Sequence, residues 1–97
     1  MGRRTGEMSK SQLDRDFPYQ IAVPADRCKG DNREKQTRFC ADLSLAPRLH
    51  SVIHDEVTYQ VFCFADPQHA TSFQDTFGGQ KFSPAARGHG ESWYRWR

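Results

Sequence analysis

Apolar positions along the chain gather into six short runs separated by polar loops. In "FPYQIAV", Tyr19, Ile21 and Val23 alternate with Gln20 and Ala22, the period of a strand; Pro18 suits its start and Pro24 ends it. The loop "ADRCKGDNREK" follows, with a Gly-Asp-Asn turn signal. Between Asp31 and Ala46, the i, i+1, i+4 spacing of Phe39, Cys40 and Leu43 predicts a helix with one apolar side. Asp31 or Asn32 is placed to cap it, and Pro47 disfavours helix at Ala46. Two runs rich in β-branched and aromatic residues, 49–53 and 57–65, predict strands joined around His54-Asp55-Glu56 as an antiparallel hairpin. Its turn lacks Asn-Gly and Asp-Gly, so the turn type is open.

The segment "ADPQHATSFQDTFGG" is the most fully punctuated. Asp66 is a good N-cap, Pro67 fits the first helical position, and Ala70, Phe73 and Phe77 recur at i, i+3 and i+7. Gly78 supplies a left-handed stop, and "QKFS" is a last short strand before Pro84. The predicted order is strand, helix, strand, strand, helix, strand. That is an α+β fold of ferredoxin-like order (split β-α-β, βαββαβ): a four-stranded antiparallel sheet with two helices on one face, spanning residues 17–84. Phe62 and Phe64 then belong to the helix side, and Tyr59, Val61 and Cys63 to an open sheet face.

The ends of the chain read differently. Residues 1–16 hold few apolar groups and no sustained period, which predicts a disordered tail or a basic arm that orders on a partner. Residues 85–97 form an aromatic and basic arm in which Trp93, Tyr94 and Trp96 are interleaved with Arg95 and Arg97. Both tryptophans of the chain lie there. Such density predicts that the arm packs back on the domain as a fifth strand, or stacks on bases or docks a partner.

Composition narrows the functional classes. Ninety-seven residues suffice for one domain, and 36% apolar against 27% charged describes a soluble, rather polar chain. The formal charge of +2 does not by itself argue for a nucleic-acid or membrane surface; only residues 83–97, with three basic groups and one acidic, show a clear bias. No apolar run approaches the ~20 residues of a membrane span, and Arg3-Arg4 precedes no apolar stretch. Three cysteines, an odd count, suit free thiols in a reducing compartment better than a disulfide framework. A cytoplasmic protein without membrane contact is expected.

Laid on the RNP1 pattern, a basic residue, Gly, aromatic, small residue, Phe, Val, any residue, aromatic, the run Val57–Phe64 matches at Tyr59 and Phe64. It lacks the basic residue and the glycine, and Val61 stands at the second stacking position. With the helix that follows, residues 59–79 resemble the third strand and second helix of an RNA-recognition motif. The resemblance implies a sheet face that stacks single-stranded RNA.

Other chemistry is thinly represented. No Cys-x-x-Cys or helical His-x-x-x-His occurs; His50 and His54, four apart on a strand, lie ~13 Å apart along it, too far to share a zinc with ~2 Å bonds. No metal and no cofactor are expected. Gly78-Gly79 follows a helix and not a strand, so helix termination explains it better than a phosphate loop. A thiol nucleophile needs a base beside it, and Cys63 has His50 or His54 on the neighbouring strand. Three roles follow, in order of preference. The first is a non-catalytic binding or interaction module, self-associating or engaging a protein partner through the open face (Tyr59, Val61, Cys63) and the arm (Trp93, Tyr94, Arg95, Trp96, Arg97). The second is a single-stranded nucleic-acid binder, and the third is a small Cys–His enzyme.

Overall fold

The computed structural model describes residues 10–47 and 50–84. It is an α+β fold: helix α1 (Lys10–Asp16), strand β1 (Tyr19–Pro24), helix α2 (Asp31–Phe39), the hairpin β2 (His50–His54) and β3 (Val57–Phe64), helix α3 (Pro67–Phe77) and strand β4 (Gln80–Phe82). The four strands form one antiparallel sheet in the order β2-β3-β1-β4. Among the described residues three α-helices are present where two were expected.

Two central strands divide the core between the two faces of the sheet. Ile21 of β1 stands opposite Phe62 of β3, and Ala22 opposite Val61, so alternation sends the first pair to one face and the second to the other. On the first face, Ile21, Val23, Phe62 and Phe64 pack with Ala70 and Phe73 of α3, with Cys28 and Cys40, and with half-buried Phe39 at the end of α2. The Phe73 ring is the hub: its centroid lies 4.5 Å from Phe62, 5.0 Å from Phe77 and 5.6 Å from Phe64. On the second face, Ala22, Val52, Val61, Cys63 and Phe82 pack beneath Leu13 of α1, with Ala46 beside them.

Residues 10–16 form α1 where a tail over residues 1–16 was expected, and residues 1–9 lie outside the described residues. A helix of two turns in which Leu13 is the buried side chain among those described shows no period in the sequence. It is held by tertiary contact: Phe17 packs against the same cluster, and its N–H donates to the Leu13 carbonyl at 2.9 Å. Under this cover β1 is buried on both faces from Gln20 to Val23.

Local signals in α3 act as read. The Asp66 carboxylate accepts the Gln68 N–H at 2.8 Å, Pro67 stands in the first turn, and Gly78 (φ 81°) closes the helix by donating its N–H to the Gln74 carbonyl at 2.8 Å. The start of α2 differs: Gly30 (φ 58°) stands at the cap position without a side-chain bond, and Asp31 is already helical. The helix stops at Phe39 and tightens into a 3-10 turn, Cys40–Asp42, so residues 43–46 are free to run beside β3. Ala46 N–H donates to the Cys63 carbonyl at 2.8 Å there. Asp55 (φ 52°) and Glu56 (φ 65°) make the hairpin a two-residue type I′ turn. Neither is glycine, a conformation that costs about 1 kcal/mol per residue and is offset by the five-pair register of β2 on β3.

Candidate functional site

Register decides which histidine meets the thiol. His50 stands opposite Val61, so its ring reaches diagonally along the same face to Cys63, and Sγ lies 3.3 Å from Nε2. His54 sits at the turn instead, 3.7 Å from the Asp55 carboxylate. Beside the pair, Gln20 stands directly opposite Cys63 and is buried too; its Nε2 donates to Asp14 of α1 at 3.1 Å and to the Phe17 carbonyl at 2.9 Å. One polar line thus runs under α1: Asp14, Gln20, Cys63, His50.

Gln20, Cys63 and His50 of that line are closed to solvent, and Asp14 is half-buried. Cys63 and Val61 are 0% exposed and His50 8%; Leu13, Ala46 and Phe82 belong to the same buried cluster as Cys63 and Val61. The expectation of an open face at Val61 and Cys63 is therefore corrected: α1 occupies it. The face opens toward the hairpin turn, where Tyr59 is half-buried and Val57 is 42% exposed. Of the two positions where an RNA-recognition sheet would place stacking rings, Val61 is under cover and Tyr59 alone reaches solvent. The strand residues on this face include no Lys or Arg to hold a phosphate.

The other two thiols lie on the opposite face. Burial pushes the Cys40 thiol up to about 11. Burial also raises Cys28, opposed in smaller measure by Gln36, Arg33 and Arg27. Both are protonated at neutral pH and poor nucleophiles. All three cysteines are free and buried, and among the described residues no group of three or more His, Cys, Asp and Glu side chains is placed to hold a metal ion.

A second constellation, Ser44, His69 and Asp66, escapes sequence reasoning. Ser44 Oγ lies 2.9 Å from His69 Nδ1, and His69 Nε2 lies 3.6 Å from the Asp66 carboxylate. The residue types are those of a serine nucleophile, its base and an orienting acid. The hydrogen bonds assign another role. Ser44 Oγ accepts the Ala65 N–H at 3.1 Å and the Asp66 N–H at 3.0 Å, which occupies both of its lone pairs. His69 Nδ1 accepts the Ser44 backbone N–H at 2.9 Å, so the ring proton sits on Nε2. The serine oxygen has no electron pair left for a substrate: the cluster is a clamp that ties residues 43–46 to the start of α3. Ser44 lies 25 positions from His69, so no local pattern announces the cluster.

Away from both clusters, Pro18, Tyr19, Ile21, Ala70, Lys81 and Pro84 line a groove of about 420 Å³ between β1, β4 and the first turn of α3. The arm residues Trp93, Tyr94, Arg95, Trp96 and Arg97 lie outside the described residues.

No protein-family model, curated protein or solved structure matches this chain.

Proposed function

We propose that this chain is a non-catalytic protein-interaction module on a ferredoxin-like scaffold, acting in the cytoplasm through the hairpin end of its sheet and its C-terminal aromatic arm. The run of strands and helices from β1 to β4, with α2 and α3 packed on one face, supports the scaffold; α1 is an addition on the other face. Three separate buried thiols fit a reducing compartment.

One observation carries the reading: the sheet face is divided by accessibility. The groups with reactive chemistry, Cys63 and His50, are enclosed, whereas two of the three exposed large apolar side chains among the described residues stand at the hairpin end, Val57 at 42% on this face and Ile53 at 40% on the other; the third, Tyr19 at 43%, is at the far end of the sheet. Exposed apolar side chains grouped at one end of a small domain mark a contact surface more than a reaction site. Tyr59, half-buried beside Val57's end of the strand, provides an aromatic anchor, and Trp93 and Trp96 of the arm supply further ones.

A thiol-centred enzyme is the second reading, favoured by the 3.3 Å contact of Cys63 with His50. It requires α1 to leave the sheet before a substrate can meet the sulfur.

Covalent surface footprinting tests the module. The expected result is that Val57, Tyr59 and Ile53 label several-fold less in cells at native expression than in dilute purified protein. Equal labelling of all three in both settings would overturn the reading.

A further inference from the structure

We propose that the groove between β1, β4 and the first turn of α3 is a binding site for a small aromatic carboxylate. The site is separate from the hairpin surface and goes beyond the contact role. Tyr19, which lines it, stands opposite Phe64, at the end of β3 farthest from the turn.

Register builds the groove. Lys81 stands opposite Ile21, so their side chains share one face of the sheet, and Tyr19, two residues before Ile21, shares it too. This is the face that α3 covers, since Ile21 packs with Ala70 and Phe73. Phe82, the next residue of β4, falls on the other face, in the cluster beneath α1. At the first turn of α3 the residue facing the sheet is Ala70, a side chain of one carbon, and the groove beside it measures about 420 Å³. Sites for small ligands run from about 300 to 1,000 Å³, so this one suits a compact molecule.

The walls select the ligand's body. Pro18, Pro67 and Pro84 line the groove together with the exposed Tyr19. Proline loses no side-chain freedom on contact and tyrosine loses little, so these rings are rigid, preformed surfaces. A planar aromatic body matches them and gives up few rotors of its own, where a flexible chain would give up many.

Charge selects the other end. Lys81 is the one charged side chain among the described residues that line the groove, and it has no acidic partner among the described residues. Asp66, next to Pro67, is engaged elsewhere: its carboxylate accepts the Gln68 N–H at 2.8 Å and lies 3.6 Å from His69 Nε2. A cation beside an apolar groove, with no carboxylate lining it, favours an anion and disfavours an amine. One ammonium matches one negative charge, which a carboxylate carries at neutral pH and a phosphate monoester exceeds.

The test follows backbone amide spectra of the full chain at pH 7. Three probes of one shape are added: indole-3-acetate, neutral indole-3-acetamide and cationic tryptamine. Indole-3-acetate should shift the amides of Tyr19, Ile21, Ala70, Thr71 and Lys81 saturably, with a Kd of about 1 mM, the affinity of a ligand of ordinary efficiency at that size. Indole-3-acetamide should bind about two- to fivefold more weakly, the span of one exposed ion pair, and tryptamine more weakly still. Lys81→Gln should bring indole-3-acetate down to the affinity of the acetamide and leave the acetamide where it was. Tyr19→Ala should weaken both severalfold and alike, since it removes a wall and no charge. Both positions are exposed, so neither substitution disturbs the core.

No saturable shift at the lining residues up to about 10 mM, ten times the expected Kd, overturns the site. Saturable binding that Tyr19→Ala leaves intact overturns its placement in this groove. Tryptamine or the acetamide binding as tightly as indole-3-acetate, or Lys81→Gln without effect, overturns the carboxylate.

Discussion

Phe73→Ala is expected to lower the unfolding free energy by about 3–5 kcal/mol, measured by urea denaturation. The ring is completely buried and within 6.3 Å, centroid to centroid, of four others: Phe39 at the end of α2, Phe62 and Phe64 of β3, and Phe77 of its own helix. Removing it opens a cavity against both helices and the central strand at once, so the surroundings cannot close from one side. Stabilities of small domains are typically about 5–15 kcal/mol, so a loss of this size removes a large share of the total. Phe77→Ala, at the half-buried rim of the same cluster, should cost visibly less. A loss below about 1 kcal/mol for Phe73→Ala would mean that the aromatic hub does not organise this face.

Gly79→Ala is the second large effect, expected at about 2–4 kcal/mol from backbone strain and overlap combined. Gly79 has φ 104°, a region that side-chain-bearing residues rarely enter. A Cβ there would stand 2.8 Å from the Ala22 carbonyl oxygen and 3.0 Å from the Cγ2 atoms of Ile21 and Val23. None of these neighbours can retreat, because β1 is a central strand buried on both faces. Gly30→Ala supplies the comparison: its φ is also positive, at 58°, but a Cβ meets nothing within 4 Å. The same denaturation measurement should place Gly30→Ala at the smaller loss, and equal losses would reduce the effect at Gly79 to strain alone.

These positions show where the sequence is legible and where it is not. The α3 signals are local, Asp66 two residues before the N–H it accepts and Gly78 four after the carbonyl it reaches, so pattern alone locates them. The division of β3 into a Phe62/Phe64 face and a Val61/Cys63 face is likewise a matter of alternation. Gly79 is different. Adjacent to a helix stop, it passes for part of that stop, and its reason lies on β1, far away in sequence. The α1 helix is hidden because one buried leucine is not a period. The Ser44 clamp is hidden because His69 and the Ala65 and Asp66 amides reach it from another element. At the candidate site, the pattern narrows the partner of Cys63 to two histidines, and only the pairing register selects His50. What covers the pair depends on α1, which is why a face read as open proves closed.

The proposed contact role rests on the enclosure of Cys63 and His50. Site-resolved alkylation of the native protein, quantified for each cysteine by mass spectrometry, tests it most directly. Cys63 should react roughly 100-fold more slowly than the same thiol in an unstructured peptide, the retardation given by a local opening of about 3 kcal/mol. Leu13→Ala, which loosens α1, should accelerate Cys63 and leave Cys28 and Cys40, on the other face, unchanged. Native Cys63 reacting as fast as the peptide thiol, or faster, would contradict the enclosure and favour the thiol-centred reading of the Cys63–His50 pair.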